Sequence, residues 1–299
     1  MVGNVHYDAC PVCNSRKISP LLTVKDHTVS HKDFVIWQCG QCTLRFTQDA
    51  PAEDSIGAYY KAEEYISHTD TSKGFVNKIY KKVRQYTLKQ KANLVIEETG
   101  VREGNILDFG CGTGSFVHVM KEKEWKVTGI EPDAGARKLA KELYNLDVLP
   151  ATDFKNLPSQ SFDVITLWHV LEHIHDLHNY IEQFKKVLKD KGKVFIAVPN
   201  YNSSDADSYK LYWAAYDVPR HLYHFTPKSM AVLMQQHGLK IISMKPMWFD
   251  SYYISMLSSK YKNGKIKWPG AIINGLKSSI NTLIDKQRCS SLIYVITKN

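Results

Sequence analysis

The strongest constraint on this chain is a glycine-rich turn held between two apolar runs. Ile106-Leu107-Asp108-Phe109 leads into Gly110-Cys111-Gly112-Thr113-Gly114-Ser115-Phe116, and a second run, Val127-Thr128-Gly129-Ile130, ends on Glu131. Apolar run, turn, helical pattern and apolar run make up a βαβ unit of the nucleotide-binding kind. The glycines let the backbone turn sharply and approach a ligand, and an acid ending the second strand can accept from two ribose hydroxyls. A dinucleotide fingerprint needs G-x-G-x-x-G, whereas the glycines here are 110, 112 and 114, and Ser115 stands where the third would be.

The rest of the chain is organised around that unit. Short apolar runs alternating with amphipathic segments predict strands at 105–109, 126–131, 146–149, 163–168 and 193–198, and helices at 114–124, 133–144 and 176–189. Two later runs, 240–247 and 291–297, would complete a seven-stranded, largely parallel sheet with helices on both faces. Residues 248–290 then form a helical insertion before the last strand, within a domain spanning 104–299. Upstream, residues 1–50 carry four cysteines and short β-like runs such as Phe34-Val35-Ile36-Trp37, and residues 51–103 read as a polar, then helical, connector and cap.

Cys10-Pro-Val-Cys13 and Cys39-Gly-Gln-Cys42 are two C-x-x-C knuckles separated by 25 residues. Two such knuckles can close a four-thiolate shell around one zinc ion, and a closed shell leaves no open position for chemistry, so a zinc there is structural. An Fe–S cluster and a redox pair are the alternatives. So small a module also needs a staple to fold. Cys111 and Cys289 stand apart and read as ordinary small residues.

The glycine pattern with Asp108 just before it resembles motif I of class I S-adenosylmethionine (SAM) methyltransferases, and the resemblance runs from about residue 90 to 299. It implies a Rossmann-like α/β fold and a set of cofactor contacts. Gly110, Cys111, Gly112 and Gly114, backed by Asp108, would carry the methionine part of SAM, and Glu131 the ribose. Asp153 and Phe154 would meet adenine, with Asp153 accepting from the exocyclic amine. Trp168-His169-Val170-Leu171-Glu172-His173 falls at the carboxyl end of the fourth strand, where ligands of open α/β sheets bind, which places Trp168 and His169 at the cofactor. Glu172 and His173 can equally cap or brace the next helix. The [DN]-P-P-[YFW] signature of amino-methylating enzymes and the Pro-Cys of cytosine-5 methylation are both absent from that strand end.

Beyond the fifth strand, Val198-Pro199-Asn200 opens an aromatic segment that contains Tyr209, Tyr212, Trp213 and Tyr216 and closes on Pro219-Arg220-His221-Leu222-Tyr223-His224-Phe225-Thr226. This arrangement is similar to a bacterial branch found in cell-surface polysaccharide clusters. It implies a sugar acceptor, with aromatic faces to pack on it. His221 is the candidate base, since imidazole titrates near neutrality, although a histidine among aromatics can also serve only as packing. Tyr216, Arg220, His224, Asp250 and Tyr253 are the candidate acceptor contacts. C-methyltransferases of deoxysugar nucleotides are also similar, but they carry Tyr-Glu-His where Arg220 precedes the histidine here.

The formal charge of +9 is uneven. Residues 251–299 hold eight Lys or Arg against one acid, Asp285, a net +7. Such a region can meet an anionic substrate, nucleic acid or an acidic lipid surface, or can simply aid solubility. Met256, Leu257 and the nearby lysines suggest a peripheral membrane contact. No run reaches the roughly 18 apolar residues of a membrane span, and no basic start precedes an apolar run, so the expected location is cytoplasmic. The expected activity is methyl transfer to a small-molecule or glycan acceptor. The alternatives are an RNA methyltransferase, a quinone-type lipid methyltransferase and a binding protein that retains the fold.

Overall fold

A computed structural model describes residues 3–60 and 75–299, the side chains of 75–81 excepted. Residues 61–74 of the expected connector lie outside the described residues. The N-terminal region forms β1 (Asn4–Val5), β2 (Ile18–Lys25), β3 (Asp33–Cys39), β4 (Arg45–Thr47) and β5 (Ala50–Pro51), with β2, β3 and β4 paired antiparallel in sequence and β1 on β5. Helix α1 (Phe75–Thr99) leads into the larger sheet.

That sheet is built from β6 (Asn105–Phe109), α2 (Ser115–Glu122), β7 (Lys126–Ile130), α3 (Ala134–Tyr144), β8 (Phe162–Trp168), α4 (Leu177–Val187) and β9 (Leu188–Pro199). After β9 come α5 (Ser204–Tyr209), β10 (Tyr223–His224), α6 (Pro227–Gln236), β11 (Leu239–Pro246), α7 (Asp250–Asn263), α8 (Trp268–Ile284) and β12 (Ser291–Lys298). Six strands pair in the order β11-β12-β9-β8-β6-β7. β6 to β9 run parallel, and β12 and β11 add antiparallel.

Among the described residues the sheet therefore has six strands, a correction to the seven expected. The run at 146–149 is reduced to one parallel bridge, Ile130 to Leu149. Pro150 follows at once, lacks an N–H for the ladder, and opens a 3-10 turn over Ala151–Asn156. The central strands are apolar on both sides because both faces are covered. Val194 and Ile196 of β9 join α4 and α6 residues such as Phe184 and Leu233, whereas Phe195 and Ala197 join α1 and α2 residues such as Val95 and Met120.

The two sheets are welded together. β10, which lies between β9 and β11 in sequence, completes the N-terminal sheet by pairing with β4, in the order β10-β4-β3-β2. Cys10, Cys42, Leu44 and Phe46 share one apolar core with Leu107, Phe109, Leu222 and Phe225. The insertion is a helical hairpin in which α8 lies close against α7, so that a Cβ added at Gly275 would meet the Tyr252 ring at 2.6 Å.

Candidate active site

The glycine loop connects β6 to α2 and folds back on the end of β7. The Gly110 and Cys111 amides both donate to the Ile130 carbonyl, at 2.8 and 3.0 Å. Gly110 has φ of +72°, and a Cβ there would meet Val170 at 2.5 Å, so neither its backbone nor its surroundings admit a side chain. Gly112, at φ +54°, has nothing within 4 Å of a built Cβ, which leaves its backbone open to a ligand. Glu131 accepts from the Gly112 amide through Oε2 (2.8 Å) and from the Asp133 amide through Oε1 (3.0 Å). Glu131 and the glycine loop are thus one hydrogen-bonded unit. Burial pushes the Cys111 thiol well up, which makes it a neutral, inert contact.

Asp108 is buried beneath the loop and accepts from Thr166 Oγ1 at 2.6 Å. Burial raises its carboxyl to about 7, against the opposing pull of Thr166 and of Lys91. Trp168 has Phe116 edge-on at 5.3 Å and the Lys91 ammonium 4.5 Å over its ring. Asp153 is half-buried on the 3-10 turn after Leu149, near the expected adenine position. The Phe154 ring instead turns inward, against Phe109 and Phe184, each at 4.8 Å, and is buried there rather than presented to a ligand.

At the carboxyl end of β8, His169 adopts φ of +59°, the left-handed conformation that nine other non-glycine residues among those described also hold. Its Nε2 lies 3.1 Å from Asp250 and its Nδ1 3.5 Å from Glu172. Burial opposes a charged imidazole, but Asp250 and Glu172 outweigh it and push His169 up to about 9, so it is a cation at neutral pH. Both Glu172 oxygens are buried without a hydrogen-bond partner. Burial alone would raise that carboxyl; the imidazoles of His169, His221 and His173 hold it below the usual range.

His173 and His221 meet edge-to-face at 4.7 Å. Burial lowers His173 to about 4, with its Nδ1 at 3.0 Å from the Arg220 carbonyl and from the Tyr60 hydroxyl. The His221 Nδ1 lies 2.9 Å from the Ala215 carbonyl, which must accept, so Nδ1 carries a proton and donates, while Nε2 lies 3.7 Å from Asp217. Ligand atoms of Glu172, His173 and His221 all lie within 4.8 Å of one another, close enough to share a divalent cation.

The other acceptor candidates are placed differently. Asp250 joins His169, and Tyr253 lies exposed one turn further along α7. Arg220 is buried and clamped by Asp217 and the Tyr59 carbonyl. Tyr216 is buried with its hydroxyl accepting from Arg45 at 2.8 Å, and His224 lies in β10 with Nε2 3.3 Å from Thr47 Oγ1. Tyr216 and His224 therefore bond the segment that follows β9 to β4 of the N-terminal sheet. Lys91, Arg84 (which donates to Ser115 Oγ at 2.8 Å) and Asp217 carry no motif and escape a sequence reading. The one available signal is periodic: Arg84 and Lys91 share a helix face with Leu88 and Val95, two cations on an otherwise apolar stripe.

The four cysteines converge at the N-terminal sheet, with Sγ atoms 3.5 Å apart for Cys10–Cys42 and for Cys13–Cys39 and all four within 4.8 Å. The two knuckles match: Asn14 and Thr43, each following the second cysteine of its pair, take left-handed φ of 56° and 66°. These spacings are too long for disulfides, at about 2.05 Å, and suit a tetrahedral ion with bonds of about 2.3 Å, which sets sulfurs roughly 3.8 Å apart. A separate open groove of about 600 Å³, lined partly by Cys10, Val12, His178 and His237, lies beside this cluster and not at the glycine loop.

A mostly parallel sheet with a G-x-G-x-G loop after its first strand, and an acid on the second strand bonded to that loop, defines a class I SAM-dependent methyltransferase domain. The chain belongs to that family: residues 80–244, more than half of it, match the methyltransferase-domain family. It is 31% identical over 121 residues to a ubiquinone biosynthesis O-methyltransferase of Pseudomonas aeruginosa, covering 38% of this chain and 51% of that protein. A protein of the same name from Saccharophagus degradans is 28% identical over 174 residues, covering 54% and 73%. The chain thus spans about half the length of the first of these relatives. Among solved structures, Burkholderia thailandensis 1,6-didemethyltoxoflavin-N1-methyltransferase, with 1,6-didemethyltoxoflavin and S-adenosylhomocysteine bound, shares the fold at a TM-score of 0.50. It is 14% identical and covers 92% of this chain and 100% of that one.

Proposed function

We propose that this chain transfers the methyl group of SAM to a hydroxyl of a small-molecule or glycan acceptor, such as a sugar of cell-surface polysaccharide or nucleotide-sugar metabolism. In this reading His221 is the base, and the four cysteines hold a structural zinc ion. The observation that carries the reading is the geometry of His221, whose Nδ1–H is fixed on the Ala215 carbonyl at 2.9 Å, so that Nε2 is the ring nitrogen left to meet the acceptor. SAM supplies an activated methyl on a sulfonium, so the chain's own share is to orient the acceptor and take up its proton. The imidazolium formed on His221 is met by Asp217 at 3.7 Å and by the nearby Glu172 carboxylate, which also faces His169 at 3.5 Å. His173, lowered to about 4, stays neutral beside it, and His169 is already protonated and so is not the base. A quinone-type lipid bearing a ring hydroxyl is a second reading, favoured by the names of the relatives.

His221→Ala is expected to lower kcat by about 10²- to 10⁴-fold, the usual share of a general base, with SAM affinity and metal content unchanged. The measurement is S-adenosylhomocysteine release over nucleotide sugars and catechols across a pH series. Unaltered turnover in the variant at every pH would remove His221 from the chemistry.

A further inference from the structure

Helix α8 carries its large apolar residues on the wrong side for a helix of a protein in water. Its inward face is Ala271, Gly275, Ser278 and Thr282, all buried, and Ser278 donates to Asp205 at 3.0 Å. Its outward face carries Ile272, Ile273, Leu276, Ile280, Leu283 and Ile284, repeating at steps of three and four residues. Ile273 is 64% exposed, Leu283 73% and Ile284 82%. Trp268, in the first turn, adds to the same exposed apolar surface. An apolar stripe of this extent, left uncovered, is an interaction surface. Met256 and Leu257, the residues first suggested for membrane contact, are half-buried on α7, and Leu257 packs against the core beside Ile254.

The charges identify what the stripe meets. Lys262, Lys265 and Lys267 lie before the helix, Lys277 on it and Lys286 just after it, all exposed, while Asp285 is the one acid in residues 251–299. In a second copy paired antiparallel about a two-fold axis, the three lysines at the start of one helix would face Lys286 and Arg288 at the end of the other, with Asp285 and Asp207 the only acids placed there to offset them among the described residues. An anionic bilayer has the complementary chemistry: acyl chains for the stripe and phosphates for the lysines at its two ends. The helix has 17 residues, and no helix of the described residues is long and apolar enough to cross a membrane. We propose that α8 lies along an anionic phospholipid surface and docks the chain there. The proposal depends neither on methyl transfer nor on the identity of the acceptor.

The test is cosedimentation of the full chain with vesicles of phosphatidylglycerol and phosphatidylcholine, or of phosphatidylcholine alone. Partitioning onto the anionic vesicles is expected to exceed that onto the neutral ones by at least about tenfold, and to fall by as much in the triple variant I273E/L276E/L283E. An unchanged unfolding midpoint shows that this variant is folded. A second variant, K262E/K265E/K267E, retains the stripe and is expected to lose the preference for phosphatidylglycerol. Absence of sedimentation with anionic vesicles overturns the proposal, as does sedimentation indifferent to both variants. So does a dimer seen by light scattering that the triple variant converts to monomer, because the stripe is then covered by a second copy.

Discussion

Removing the metal proposed for the four-cysteine cluster is expected to damage the proposed acceptor site as well as the N-terminal sheet. The sulfurs of Cys10, Cys13, Cys39 and Cys42 are buried or half-buried and lie within one shell. The residues immediately after Cys42 reach the acceptor segment. Thr43 accepts from the Tyr201 hydroxyl through its carbonyl and meets Thr226 Oγ1 at 2.9 Å. Arg45 lies 3.8 Å over the Tyr201 ring and donates to Tyr216, and Thr47 Oγ1 donates to the His221 carbonyl at 2.7 Å. Loss of a structural metal belongs to the severe class of perturbations, about 4 kcal/mol or more, and at roughly 2–4 °C per kcal/mol the unfolding midpoint falls by about 10 °C. Cys42→Ser is expected to show that drop in scanning calorimetry together with loss of bound zinc. Cys289→Ala, which removes a buried thiol outside the cluster, should keep its zinc. Wild-type protein that carries no zinc or iron yet unfolds at the same temperature as Cys42→Ser would contradict the metal assignment.

Glu131→Ala is expected to abolish useful SAM affinity while leaving the fold in place. Each Glu131 oxygen now holds one backbone amide, from Gly112 and Asp133, and the same carboxylate is the group available to ribose hydroxyls. Losing two charge-assisted hydrogen bonds, at about 1.5–3 kcal/mol each, weakens binding by at least two powers of ten. Glu131→Gln retains the shape and one acceptor oxygen and should fall between wild type and Glu131→Ala. Isothermal titration of the three proteins with SAM checks the order. Equal affinities would place the ribose elsewhere.

What could be read from the sequence followed distance along the chain. The βαβ unit announces itself because its strands, turn and acid lie within 26 residues, 106 to 131, each with its own local period or turn chemistry. The cysteine knuckles are equally local, and only their meeting spans the N-terminal region. The pairing of Tyr223 and His224 with Phe46 and Arg45 joins segments far apart in the chain and carries no sequence signal, so Tyr216 and His224 read as ligand contacts although they seal a seam. Phe154 carries a related ambiguity: an aromatic after the third strand suits adenine or core equally, and Phe109, Tyr180 and Phe184 pack around its ring. The missing seventh strand turns on Pro150, whose effect on the ladder is visible only once Leu149 has a partner. Composition reported the basic C-terminal region, but not that α8 turns its isoleucines and leucines outward.

The central claim is that the glycine loop and Glu131 form a SAM site, and calorimetric titration of the zinc-assayed wild-type chain with SAM, and separately with NADH, tests it most directly. One SAM bound per chain, with no heat from NADH, is the predicted result. A folded, metal-loaded chain that ignores SAM, or that binds NADH in its place, would contradict it.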